Sequence, residues 1–384
     1  MMHGSNQNVK IIKNAKIPSA SRITRDDDVL IEDGIIQYIG RLGEDLPKDA
    51  EIIDASGLYL IPGFIDCHTH GFNGHRADDG PDSLKHMAVE YARRGITGFY
   101  ATVEPEDHEE YAKIFENYRK AFNTQYKGAH FLGIHAEGPF LNPEKKGAIN
   151  ESKMILPTTD EVQLLIDQGS DLLRIITLAP ERDGACEAAS KFSKAGIVVS
   201  MGHTMATYQQ AWAATQAGVT HATHMFNAMR PFDHREPGVI GASVLNDSVY
   251  CELIADGIHV SLEAMEMLIR LKGTDRIIAV SDSDSMSGSG VCGREMEDYF
   301  IRDGGIYLKD GTLSGSTRDL SDHFRTFITQ LGVGIPDAVK MTSTNCAEHM
   351  RINKGRVKEG FDADLNLVDD SFKIRYTFVS GEVL

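Results

Sequence analysis

Long apolar runs are missing from this 384-residue chain. No stretch approaches the roughly 20 consecutive apolar residues needed to cross a bilayer as a helix, so no membrane partner is expected. The opening MMHGSNQNVK carries no apolar h-region, which argues against a secretory signal. Cysteine is scarce: Cys67, Cys186, Cys251, Cys292 and Cys346 are five in number, scattered and without a CxxC pair. That usage fits reduced thiols and a cytoplasmic location rather than a disulfide frame or a zinc knuckle. Positive charge is also short, with 39 Lys and Arg against 56 Asp and Glu for a net charge of -17. Sequence-independent binding to nucleic acid needs basic side chains to displace counterions, so no nucleic-acid partner is expected. A local basic pocket for a small anion remains compatible with an acidic surface. No GxGxxG immediately follows any of the apolar runs, which weakens a dinucleotide-binding fold.

What is present is an ordered globular composition, 41% apolar and 25% charged. The length allows two or three domains, or one large barrel with an appendage. The ends differ from the middle. Residues 9–58 alternate short apolar runs with turns: VKIIKNAKI, then DDVLIEDGIIQYIG with Asp33-Gly34 as a hairpin signal, then AEIIDASG. The C-terminus repeats that style in GRVKEGFDADLNLVD and KIRYTFVSGEVL. Residues 1–58 and 352–384 are therefore expected to build one small β-sandwich domain, with residues 59–351 inserted between them. The insert holds eight short apolar runs, at 58–66, 95–103, 130–138, 172–180, 196–203, 220–226, 249–257 and 276–282. Their near-continuous apolar character suits strands buried on both faces. Helical stretches lie between several of them. Asp82 is expected to cap one that turns Leu84, Met87, Ala88 and Tyr91 to one face, and Asp183 to open another with Ala185, Ala188, Phe192 and Ala195. The expected fold class is α/β, a (β/α)8 TIM-like barrel.

Polar residues gather where these strands end, which is where barrel enzymes hold their reacting groups. The first run leads into Asp66-Cys67-His68-Thr69-His70, whose i and i+2 histidines share a face of an extended segment. Others end in His135-Ala136-Glu137, Gly202-His203, His221-Ala222-Thr223-His224, Asp256-Gly257-Ile258-His259 and Asp282. One strand-end histidine means little; this joint pattern points to a metal site. Imidazole and carboxylate ligands without thiolate suit zinc, or divalent iron, manganese or cobalt, acting as a Lewis acid. Such chemistry needs a carboxylate that takes a proton from water and passes it to the leaving group. Asp282 is the candidate.

The segments PGFIDCHTHG (62–71), HAEGPFLNPEKKGA (135–148), MGHT (201–204), HATHMFNAM (221–229), REPG (235–238), ADGIHV (255–260) and TLSGS (312–316) occur in this order. On them the sequence resembles the amidohydrolase superfamily, and within it the N-acetylglucosamine-6-phosphate deacetylase family. The resemblance implies hydrolysis of the acetamide of a phosphorylated amino sugar. It also implies Glu137, His203 and His224 as ligands of the catalytic metal, His68 and His70 as the pair that holds a second ion, and Asp282 as general base and acid. One or two divalent ions per subunit follow. Ala148, Asn227, Ala228, Arg235, His259, Leu313, Ser314 and Gly315 match substrate-contacting positions. In several relatives the Arg235 position reaches into a neighbouring subunit's site, which implies a homodimer.

Two departures stand out: Ser281-Asp282-Ser283-Asp284 replaces the usual Thr-Asp-Ala, making Asp284 a rival to Asp282, and Ile149 stands where a histidine is common. A deacetylase of another N-acyl amino sugar phosphate, such as the galactosamine epimer, and a catalytically silent binding protein on the same fold are the alternatives. Several residues have plainer readings. Cys67 is expected on the strand face opposite His68 and His70, Asp66 and Asp256 as structural supports, and Arg25-Asp26-Asp27-Asp28 as a solvated turn. SDSDSMSGSGVCG (281–293) reads as a mobile lid or an ordinary loop.

Overall fold

In the computed structural model, which describes residues 9–384 apart from 20–22, 25–26, 44–45, 48, 125 and 289–298, the apolar runs at the chain ends form two four-stranded sheets. The first orders Ile35–Gly40, Asp27–Glu32, Val9–Ala15 and Glu51–Asp54; the second orders Glu382–Val383, Ile374–Val379, Leu365–Val368 and Tyr59–Pro62. Asp33 (φ 49°) and Gly34 (φ 78°) both take left-handed backbone, as the tight hairpin between the first two strands requires. Ile12, Val29, Ile31 and Ile36 from one sheet share a core with Leu60, Leu365, Leu367 and Phe378 from the other, so the two sheets form a sandwich.

The barrel strands are β1 (Phe64–Thr69), β2 (Ile96–Val103), β3 (His130–Glu137), β4 (Leu173–Leu178), β5 (Val198–Met201), β6 (Val219–Ala222), β7 (Tyr250–Leu253) and β8 (Ile277–Ala279). All neighbours pair in parallel, in chain order, as one eight-stranded sheet. Helices α1 (Pro81–Ala92), α2 (His108–Phe122), α3 (Thr159–Gly169), α4 (Ala185–Lys194), α5 (Tyr208–Gln216), α6 (Gly238–Leu245) and α7 (Leu262–Lys272) return the chain between strands, and α8 (Leu320–Thr329) follows them. The protein is thus a (β/α)8 barrel with a terminal β-sandwich. Between β8 and α8 an antiparallel sheet of Tyr299–Arg302, Gly305–Leu308 and Leu313–Ser316 is inserted. The closing seam is made past the end of β8: Asp282 donates its N–H to His68 O (3.0 Å) and His70 donates to Ser283 O (2.8 Å).

Local readings fail where tertiary partners intervene. The run 58–66 is not one strand. Tyr59–Pro62 pairs with Leu365–Val368 in the sandwich, and the barrel starts only at Phe64. Gly63 is the crossing point, where a Cβ would lie 2.2 Å from the Thr97 side chain. Neither Asp82 nor Asp183 caps a helix. Gly80 precedes Pro81, whose fixed φ starts α1, and Gly184 precedes α4. The faces are as expected: Leu84, Met87, Ala88 and Tyr91, and Ala185, Ala188 and Phe192, are buried, whereas Ala195 is exposed. Asp27 and Asp28 belong to a strand rather than a solvated turn, and buried Asp28 accepts the backbone N–H groups of Asn14 and Leu42. Arg25 and Asp26 lie outside the described residues.

Candidate metal centre

β1 does not keep strict alternation. Its register against β2 shifts between Asp66 and Thr69. As a result Cys67 and His68 both reach Glu252 on β7, Sγ at 3.9 Å from one oxygen and Nδ1 at 2.9 Å from the other. Cys67 is therefore inside the barrel beside the ligands, not on the far face. Asp66 supports the strand by accepting the N–H groups of His68 and Ser281.

Two groups of donor atoms converge above this point. In the first, Glu137 Oε1 lies 3.1 Å from His203 Nε2 and 3.0 Å from His224 Nε2, and the two imidazole nitrogens are 3.1 Å apart. In the second, His68 Nε2 and His70 Nε2 stand 3.5 and 3.4 Å from Asp282 Oδ1. Glu137 touches both groups, with Oε1 at 3.4 Å from His68 Nε2 and Oε2 at 3.2 Å from His70 Nε2. His203, His224 and Asp282 all have left-handed backbone, with φ of 46°, 28° and 48°. Non-glycine residues adopt that region only where surrounding contacts hold them, and such strain collects at reactive sites.

The donor chemistry fits a cation. His203 donates Nδ1–H to Lys145 O (2.7 Å), which leaves a lone pair on Nε2 facing His224 and the Glu137 carboxylate. Such facing lone pairs repel unless a positive charge lies between them. Burial opposes ionisation of Glu137, but His68, His203 and His224 outweigh it and hold its pKa well below the carboxylate range. Burial likewise opposes charge on Asp282, yet His68 and His70 bring its pKa down to about 2. For His70 burial is outweighed by Asp282 and Glu137, which raise its pKa to about 10. The carboxylates demand cationic charge, and protons on imidazole or a divalent ion can satisfy them.

A cavity of ≈ 280 Å³ opens over these groups. Ala148, Asn227, Ala228, His259, Leu313, Ser314 and Gly315 line it together with His70, Glu137, His203, His224 and Asp282. Gly315 is required: a Cβ there would lie 2.9 Å from Asp282 O. Asp256 fixes the turn before His259 through its N–H and that of Ile258, and also accepts His259 Nδ1–H at 2.7 Å. Asp284 lines the rim, where Arg76 holds it at 3.0 Å, and Ile149 packs into the wall. Arg235 is not brought into this cavity; it is exposed on the turn around Asp233–Glu236. No Lys or Arg lines the cavity among the described residues. Ser281 to Ser283 are buried, with Ser283 bonded to Thr69, Tyr91 and Gly71, so this part is wall rather than lid. Residues 289–293 of that segment lie outside the described residues.

The amidohydrolase family profile matches residues 59–384. The chain belongs to the amidohydrolase family. Over 381 residues this amidohydrolase is 32% identical to an N-acetylglucosamine-6-phosphate deacetylase of Lysinibacillus sphaericus, with 97% of each chain covered. Over 366 residues it is 30% identical to an N-acetylgalactosamine-6-phosphate deacetylase of Escherichia coli O157:H7, covering 93% of this chain and 94% of the other. The crystal structure of N-acetylglucosamine-6-phosphate deacetylase from Pasteurella multocida superposes with a TM-score of 0.91 at 28% identity, over 98% and 99% of the two chains. The family is metal-dependent, and two of the donor groups above are candidates for it.

Two carboxylates escape the sequence reading. Glu252 is the one charged residue in the buried strand β7, and Glu104, just past β2, lines the cavity 3.9 Å from His70 Nδ1. A charge interrupting an apolar run was the available signal for the first, and a carboxylate at a strand end for the second.

Proposed function

We propose that this amidohydrolase hydrolyses the acetamide of N-acetylglucosamine 6-phosphate to glucosamine 6-phosphate and acetate. One observation carries the reading: Glu137 links two histidine pairs at the base of a cavity, with Asp282 against the His68–His70 pair. The names of the relatives supply the substrate class. Glu137, His203 and His224 would hold one divalent ion, and His68 and His70, with Asp282, a second. Zinc, iron, manganese and cobalt all accept this donor set. When bound, the ion supplies Lewis acidity for the acetyl carbonyl and lowers the pKa of the attacking water.

The chain's own residues do the rest. Asp282 takes the proton from water and delivers it to the sugar nitrogen as the C–N bond breaks, so acetate and a free amine leave. His259 donates Nδ1–H to Asp256 and Nε2–H to Ser314 O at 3.2 Å, and its second donor can turn to a substrate oxygen. Asp284, held by Arg76, is left out of the proton transfer. Phosphate needs donors; Asn227 N–H is bonded to His224 O (3.0 Å), which leaves the Ala228 N–H as the neutral backbone donor at this turn. An arginine fork suits phosphate best, and exposed Arg235 is available to a second copy of the chain, which supports a homodimer. Among the described residues no helix is long and apolar enough to cross a membrane, and Cys67, Cys186, Cys251 and Cys346 are unpaired, as suits cytoplasm.

Acetate release from a panel of phosphorylated and unphosphorylated N-acetylhexosamines tests this. The 6-phosphate of the gluco epimer is expected to be preferred, and equal turnover without phosphate would overturn the role of Arg235. The relative acting on the galactosamine epimer supports a second reading, which the same panel separates.

A further inference from the structure

We infer that Glu252 is a positioning residue that joins the two donor groups into one centre. The inference rests on the metal reading above, not on the identity of the sugar. Glu252 is fully buried on β7, and no Lys or Arg pairs with it among the described residues. Its environment is built from the site itself. Oε2 accepts His68 Nδ1–H at 2.9 Å and the backbone N–H of His224 at 2.9 Å; Oε1 accepts His221 Nε2–H at 3.0 Å. One oxygen thus grips a residue of each group. The bond to His68 commits Nδ1 as the donor and leaves Nε2, which has no hydrogen-bond partner, with its lone pair facing Glu137 and Asp282. The bond to His224 N–H holds a residue whose φ of 28° is unfavourable for any L side chain, at the turn that aims Nε2 at Glu137. Glu252 does not line the cavity, so it acts through its histidines. Carboxylates that orient metal-bound imidazoles also raise their basicity, and their loss weakens metal binding.

The chemistry of substitution separates charge from geometry. In Glu252→Gln the amide oxygen can still accept from His68 and His224, while its NH2 faces His221, whose unpartnered Nδ1 allows the other tautomer. Glu252→Leu removes every acceptor. The test is zinc titration of the chelator-stripped full chain against a competing dye, with stoichiometry from elemental analysis and melting temperature measured in chelator. Glu252→Gln is expected to keep wild-type stoichiometry with zinc affinity lowered about 10- to 100-fold. Its kcat should recover as zinc is raised, with KM for substrate little changed. Glu252→Leu is expected to lose the ion that depends on His68. Wild-type zinc affinity and stoichiometry in Glu252→Gln would overturn the inference, as would a lowered melting temperature with unchanged affinity, which would mark a structural role. If Glu252→Leu does not fold, Glu252→Gln decides alone. Should the wild-type chain take up no zinc, the metal reading falls and this inference with it, an outcome distinct from equal binding by wild type and variant.

Discussion

The interior of the sandwich and the axis of the barrel are buried to the same degree and filled with opposite chemistry. Between the sandwich sheets lie Ile12, Val29, Ile31, Leu60, Leu365, Leu367 and Phe378. Along the barrel axis, beneath the donor groups, lie Cys67, His135, Thr177, Ser200, His221, Thr223 and Glu252. The polar layer is closed on itself: His135 bonds Thr177 at 2.8 Å, Thr177 bonds Thr223 at 2.8 Å, and Ser200 bonds Thr223 at 2.5 Å. Each buried charge costs several kcal/mol in desolvation before its hydrogen bonds offset it. The apolar layer outside the strands, where Phe99, Phe131, Ile176 and Val199 pack against the helices, and the sandwich core are therefore the sources of stability. The axis instead holds reactive groups in fixed positions, including three residues with strained backbone.

That division can be broken by mutations that should act on one region alone. The largest effect is expected at the mouth. Asp282→Asn should lower kcat about 10³-fold while the zinc held by Glu137, His203 and His224 and the melting temperature stay near wild type. Should Asp284→Asn show the greater loss, the proton carrier has been misassigned. In the sandwich, Leu367→Ala should cost about 3 kcal/mol of stability, read from denaturant unfolding, and leave kcat of the folded enzyme unchanged.

A smaller effect sharpens the boundary between the regions. His323 on α8 is fully buried, with neither ring nitrogen partnered among the described residues. Burial first, then Arg318 and His259, bring its pKa to about 4 against the opposing pull of Asp256 and Asp322. The unfolded imidazole takes up a proton near pH 6.5 and the folded one only near 4, so stability should fall as pH drops through this window. The loss is on the order of 3 kcal/mol, and His323→Phe should flatten it in melting curves taken at several pH values. Least of all, Asp284→Asn should change kcat by less than about tenfold, since a rim carboxylate paired with Arg76 is partly screened.

The barrel, the sandwich and the donor residues are legible in the sequence for different reasons. Strands β2 to β4 lie within their apolar runs to within a residue or two, because a strand buried on both faces needs no partner to be recognised. The hairpin at Asp33-Gly34 was legible because two adjacent left-handed residues are chemically costly except for such pairs. Glu252 was not legible, since its meaning lies in His68 and His224, distant in sequence. Asp82 and Asp183 do not cap because Gly80, with Pro81 after it, and Gly184 set the helix starts.

By itself the sequence determined which side chains the strand ends carry and that eight buried strands alternate with helices, since period and residue type are local properties. Only the tertiary structure decided that Tyr59–Pro62 leaves the barrel for the sandwich, that the register shift in β1 turns Cys67 and His68 to the same interior, and that Arg235 stays outside its own chain's cavity. Register and closure depend on neighbouring strands, whose hydrogen bonds override the alternation that any one strand would keep alone.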